Sequence, residues 1–193
     1  MRIIAGKAKG RQLITPPGFH TRPTAARVRE ALFSVILPRL AGARVLDAFA
    51  GSGALGLEAL SRGADSALFI EKNAAAIKAL RRNIENCRFT GAKMFFGDAL
   101  HFLYHTKQHY DIIFLDPPYR QGLLIKAIAA ILVGGVLESG GLIVAETTIK
   151  EEFCPPAELS LLKRSVYGDT ALYYLVAVGQ EDKKIAVETV EGE

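Results

Sequence analysis

Between Arg44 and Glu146 the chain alternates short apolar runs with longer stretches whose apolar positions recur every three or four residues. "RVLDAF" (44–49), "SALFIE" (66–71), "AKMFFGD" (92–98), "YDIIFLD" (110–116) and "GGLIVAE" (140–146) read as strands. Between them "SGALGLEALSR" (52–62), "NAAAIKALRRNIENC" (73–87), "ALHFLYH" (99–105) and "GLLIKAIAAILVGG" (122–135) read as helices. Asn73 stands where a cap is wanted, and glycines end the last helix. The strands are continuous apolar runs, as suits a parallel sheet covered on both faces. Strand–helix alternation of this kind predicts a doubly wound α/β domain. After Lys150 the rhythm changes. "LSLLKRSVYGDTALYYLVAV" (159–178) reads as two strands around Gly168-Asp169, a hairpin that brings the expected sheet to seven strands.

Two pieces precede Arg44. "RIIAGKAKGRQLI" (2–14) reads as a small basic hairpin and "TAARVREALFSVIL" (24–37) as an amphipathic helix opening just after Pro23. Residues 180–193 have little to pack and read as a loose acidic tail. The expected organisation is a basic N-terminal extension over 1–43, a main domain over 44–179 and the tail over 180–193. A chain of 193 residues suits one well-buried domain. No apolar run reaches the roughly 18 residues of a membrane span. No secretory apolar segment comes after the basic N-terminus. Cys87 and Cys154 are too few for a disulfide framework. A soluble, cytoplasmic protein, monomeric and without a membrane partner, is expected.

The formal net charge of +4 conceals an uneven distribution. Residues 1–44 hold nine basic side chains against one acid, Glu30, while the remainder holds fifteen basic and nineteen acidic. Clustered Lys and Arg gain affinity for a polyanion by releasing its counterions. A nucleic acid partner for the N-terminal segment is therefore expected.

"VLDAFAGSGALG" carries Gly51-x-Gly53-x-x-Gly56 between a strand and a helix, with Glu71 twenty residues after Gly51. That is the form of a dinucleotide fingerprint, so NAD binding has to be weighed. Asp47, four residues before the glycines, would repel a pyrophosphate and suits a positively charged ligand. Asp98 adds a further acid at the carboxyl edge of the sheet, where open α/β sheets bind ligands. An edge with Asp47, Glu71 and Asp98 fits a molecule bearing a cation, hydroxyls and an amino group, as S-adenosylmethionine does. No GxxxxGK[ST] pattern occurs, which argues against ATP chemistry.

The fourth strand stops at Asp116-Pro117-Pro118-Tyr119. Prolines end a strand and stiffen the turn after it. If the acceptor is an exocyclic amine of a nucleobase, its lone pair is delocalised and it is a poor nucleophile. The Asp116 carboxylate and the Pro117 carbonyl can both accept from the NH₂ and favour pyramidal geometry, with the lone pair aimed at a sulfonium methyl. Pro117 and Pro118 keep that carbonyl in place, and Tyr119 offers a face on which an extruded base can stack.

Joined with "DAFAGSGALGLEALSRGA", this "DPPY" resembles the amino-group methyltransferases. "RIIAGKAKGRQL", "RPTAARVREALF" and "YGDTALYY" resemble, more narrowly, the bacterial RsmD type, which methylates N2 of one guanine in 16S ribosomal RNA. The resemblance covers roughly residues 1–178. It implies a Rossmann-like class I S-adenosylmethionine-dependent methyltransferase fold, with a mostly parallel seven-stranded sheet and a C-terminal antiparallel hairpin. It also implies S-adenosylmethionine as cofactor and 16S rRNA as partner, within the small subunit or an assembly intermediate. Asp47, Phe49, Gly51 and Gly53 would form the turn that holds the cofactor's methionine part. Phe49 stands where many methyltransferases carry the first glycine. Glu71 would bind the ribose hydroxyls and Asp98 would lie near adenine. Asp116, Pro117, Pro118 and Tyr119 would hold and stack the guanine. Arg22, Pro23 and Thr24 would close the pocket from the N-terminal side. Lys7, Lys9, Arg11, Arg22, Arg27 and Arg29 would contact RNA.

Other readings stay open at this stage. An adenine-amine methyltransferase on DNA or RNA could share the same turn, and a catalytically silent RNA-binding assembly factor could keep the fold. His101, His105 and His109 have helical spacing but no acid or thiol to complete a metal set. Glu146 reads simply as the end of a strand.

Overall fold

The computed structural model describes residues 1–16, 23–118, 122–151 and 153–179. Arg22, Tyr119 and the tail 180–193 lie outside the described residues, as do the side chains of Pro23 and Thr24.

Seven strands make one sheet: β1 (Arg44–Asp47), β2 (Ser66–Glu71), β3 (Ala92–Phe96), β4 (Tyr110–Leu115), β5 (Leu137–Thr148), β6 (Leu159–Tyr167) and β7 (Thr170–Ala177). Their order is β3-β2-β1-β4-β5-β7-β6. The first five are parallel, and β7 pairs antiparallel with both β5 and β6. The helices are α1 (Pro23–Ile36), α2 (Ala54–Ser61), α3 (Ala74–Cys87), α4 (Ala99–His105) and α5 (Leu123–Gly134). Every predicted strand and helix is present. The one sizeable difference is β5, which begins at Leu137 rather than Gly140. Leu137 pairs with Tyr110, and an irregularity then precedes Ile112↔Leu142. The strand passes through Gly140 and Gly141 instead of starting there.

The strands bury both faces because their neighbours alternate. Val45, Ile112, Phe114 and Val144 pack with α1, α2, α3 and the N-terminal residues Ile3 and Leu13. Leu46, Ile113, Leu115 and Ala145 pack with α4 and α5 on the other side. Phe33 of α1, fully buried, meets Phe114 with ring centroids 5.8 Å apart. Burying such a side chain contributes about 2–3 kcal/mol. The β6–β7 hairpin turns on Gly168 and Asp169, with Tyr167 opposite Thr170.

The N-terminal hairpin is smaller than a β-ladder: one bridge joins Arg2 to Gln12. Its seat is the C-terminal half of α2. The fully buried Glu58 accepts from Ile4 N at 2.8 Å and Ala5 N at 2.9 Å. Lys7 N donates to the Ser61 carbonyl at 2.7 Å, and Ala8 N to Ser61 Oγ at 2.9 Å. Gly6 has φ +82, and a Cβ there would run into the Ser61 carbonyl, so only glycine lets the loop lie this close.

Candidate active site

The strand order reverses direction between β1 and β4, so the connections leaving their carboxyl ends run to opposite faces of the sheet, the place where open α/β sheets bind ligands. Register determines its lining. Asp47 lies opposite Phe114, Phe114 opposite Val144, and Leu115 opposite Ala145. Asp116 and Glu146 are each the next residue along neighbouring strands. Side chains alternate along a strand, so Asp47, Asp116 and Glu146 share the face of Phe114 and Val144, the face that α1 covers. α1 leads through a 3-10 turn (Leu37–Arg39) into the start of β1.

Three acids thus meet at one edge. Asp47 is 2% exposed and accepts from Gly56 N at 3.0 Å. Its carboxyl is pushed up from 3.8 to about 7, chiefly by lost solvation, with the Gly56 hydrogen bond opposing and the charge of Glu71 reinforcing. Asp116 is held well above the ordinary carboxylate range by lost solvation, then by the charges of Glu146 and Asp47. Its side chain is nonetheless exposed at the edge of the sheet. No Lys or Arg among the described residues makes an ion pair with Asp47 or Asp116. Pro117 is buried and Pro118 exposed, so the turn is wedged on one side.

The glycine turn is built for close approach. Gly53, the residue before α2, has φ +83, and a Cβ there would collide with Leu80. A Cβ on Gly56 would enter the Phe69 ring, which sets the third glycine to helix–sheet packing. Phe49, half-buried, packs on the α4–α5 side of the sheet. Glu71 braces the turn, accepting from Gly51 N at 2.8 Å and from Asn73 N at 2.6 Å. Asn73 in turn caps α3. Asp98 caps α4 through His101 N at 3.1 Å and lies 3.5 Å from Lys72 Nζ, a pairing that lowers its carboxyl further after the His101 bond.

The basic residues divide into two sets. Lys7, Lys9, Arg11 and Arg27 are exposed. Arg29 is not among them: it is 6% exposed, donates to the Arg2 carbonyl at 2.6 Å and lies 3.8 Å from Glu58. The expectation that Arg29 touches RNA is corrected by this burial; it anchors the hairpin to α1. Its neighbour Arg62 completes the cluster, 2.8 Å from Glu58. The histidines are otherwise engaged, His105 Nδ1 with the His101 carbonyl and His109 Nδ1 with the Gly135 carbonyl, both at 2.7 Å.

Three residues had no role in the sequence reading and have one here. Glu58 seats the hairpin. Asn83, fully buried on α3, bonds Ile14 N and O and the Ser52 carbonyl, tying the hairpin's exit to the glycine turn. Glu146 faces Asp116; the available signal was that "IIFLD" and "LIVAE" both end an apolar run in an acid.

Residues 1–176 match the family described as "Conserved hypothetical protein 95". The ribosomal RNA small subunit methyltransferase D of Escherichia coli strain K12 is 40% identical over 185 residues, which is 94% of this chain and 93% of that protein. This chain belongs to that methyltransferase family. The methyltransferase D of Haemophilus influenzae is 36% identical, covering 87% of this chain and 89% of its own. Among solved structures, yhhF of Escherichia coli superposes with a TM-score of 0.84 at 39% identity, over 91% of this chain and 96% of that one. The sheet and helices above are thus the class I methyltransferase fold, with its antiparallel strands at the C-terminal end.

Proposed function

We propose that the protein transfers a methyl group from S-adenosylmethionine to the exocyclic N2 amine of a guanine in 16S ribosomal RNA. Membership of the methyltransferase D family supports the reaction class and a ribosomal RNA substrate. The observation that carries the site assignment is the carboxyl edge at the β1/β4 switch, where Asp47 and Asp116 lack a cationic partner among the described residues. Carboxylates in that state suit a ligand that brings its own positive charge.

When bound, the cofactor supplies an electrophilic methyl on a cationic sulfur. Asp47 and the backbone of the Gly51–Gly53 turn face its charged end. Glu71 offers lone pairs to ribose hydroxyls beside the turn it already braces, and Asp98 borders the adenine position. Asp116 and the Pro117 carbonyl accept from the target amine and hold its lone pair toward the methyl. The raised proton affinity of Asp116 equips it to take the proton the amine sheds. Tyr119 stacks on the base, and Arg22 with Thr24 closes the N-terminal side. Lys7, Lys9, Arg11 and Arg27 lie on phosphates. The substrate is a small subunit or assembly intermediate in the cytoplasm, met by a monomer.

The test is methyl transfer from labelled S-adenosylmethionine to unmodified small subunits, naked 16S RNA and DNA, with products digested to nucleosides and identified by mass. N2-methylguanosine, formed faster on subunits than on naked RNA, is expected. Methyladenine would move the protein to the adenine-amine branch. No product would leave an RNA-binding assembly factor.

A further inference from the structure

Methyl transfer needs an acceptor amine, yet guanine, adenine and cytosine all carry one. Guanine alone presents an N–H next to that amine within the ring, at N1; adenine presents a bare lone pair there, as cytosine does at N3. A site that selects guanine therefore needs an acceptor beside the one that holds the amine.

The sheet supplies it. The pairs Phe114↔Val144 and Leu115↔Ala145 keep β4 and β5 in register up to their carboxyl ends. Asp116 and Glu146 come next as side-by-side residues, on strands about 4.8 Å apart. Leu115 and Ala145 both enter the core under α4 and α5, so the next residue on each strand turns to the opposite face. Glu146 is half-buried and is the largest charged influence on Asp116. On its other side Glu146 pairs with Leu172 of β7, a fully buried core residue, which fixes the strand beneath it.

We infer that Glu146 is the specificity-determining residue for guanine, its carboxylate accepting the N1–H while Asp116 and the Pro117 carbonyl accept the two N2 hydrogens. Three donors on one edge of the base then meet three acceptors on one edge of the sheet. A base with a lone pair at that ring position would set it against a carboxylate, leaving the ring nitrogen without a donor. The inference rests on the guanine-N2 reading above.

The experiment replaces the target guanosine by 2-aminopurine, which keeps the C2 amine but has a lone pair at N1. Small subunits are reconstituted with semi-synthetic 16S RNA carrying either base at the position mapped from the wild-type product. Methyl transfer is measured for the wild type, Glu146→Gln and Glu146→Ala. The wild type prefers guanine by on the order of 10³-fold or more. Glu146→Gln, whose amide can donate as well as accept, brings the two bases to within about 10-fold, and Glu146→Ala also shrinks the ratio. A ratio of substrates does not move if Glu146 only supports the fold. A wild-type ratio near one, or an unchanged ratio in Glu146→Gln, overturns the inference, and the wild-type result needs no variant to fold. Failure of the underlying reading looks different: unmodified subunits then yield no N2-methylguanosine at all.

Discussion

Two sets of carboxylates sit on the same side of this sheet, and they are treated in opposite ways. Glu58 is fully buried under the N-terminal hairpin, where Arg62, Arg29 and the backbone N–H groups of Ile4 and Ala5 surround it. Asp47 and Asp116, at the carboxyl edge, have no such cations among the described residues, and their neighbours are further acids. A buried charge with partners is structural, since its desolvation is offset within the chain. A buried charge left without them costs stability until something else brings the compensation, and that identifies a place for a ligand. The contrast separates the joint that seats the N-terminal loop from the site proposed above for the chemistry.

The largest effect expected on the ligand side is at Asp116. Asp116→Ala lowers turnover by about 10³-fold while cofactor affinity stays within a few-fold, as read by single-turnover methyl transfer beside calorimetric titration. Near-normal turnover in this variant would remove the carboxylate from the mechanism.

On the structural side, Glu58→Ala strands the buried Arg29 and two backbone donors. It should cost about 3–5 kcal/mol, seen as a lower urea midpoint. Cofactor affinity per folded molecule should change little. A loss confined to the cofactor would reverse the division drawn here.

Asp47→Asn tests both sides at once. In the folded protein Asp47 keeps its proton up to about 7, whereas an unfolded chain loses it near 3.8. Stability from this group is therefore complete below the lower value and falls as pH rises through the higher, by on the order of 4 kcal/mol. The amide removes that loss and can still accept from Gly56 N. Cofactor-free Asp47→Asn should melt higher than the wild type at pH 8 and equally at pH 4, while its cofactor affinity drops by about 10-fold or more.

The smallest effects belong to the exposed cations. Lys9→Ala or Arg11→Ala should weaken RNA binding modestly and reduce the slope of log affinity against log salt by about 0.7–0.9 each. Arg29→Ala should instead lower stability, being buried.

Much of the fold was legible because parallel strands must be apolar throughout and the helices between them carry caps and glycines where physics wants them. Asn73 and Gly135 were readable for that reason. The start of β5 was not, because Gly140-Gly141 looks like a turn unless Leu137 is known to lie beside Tyr110. That acids stand at the ends of strands could be read, since a strand's end is a local property. Arg29 and Glu146 could not be assigned in the same way. The burial of Arg29 depends on Glu58, 29 positions along the chain, and the acid beside Glu146, Asp116, follows a neighbouring strand 30 positions back. A charge pattern in sequence shows which residues are cationic or acidic, and packing decides which of them face a ligand.

The most direct test of the central contrast is proton release on cofactor binding. S-adenosylmethionine is titrated into the protein by calorimetry at pH 6, 7 and 8, in buffers of different ionisation enthalpy. The account predicts that affinity falls as pH drops through about 7, and that binding at pH 6 expels a proton from the acidic edge. A pH-independent affinity with no proton exchanged would mean that the carboxylates at the β1/β4 switch do not answer a cation, and the site would have to be sought elsewhere.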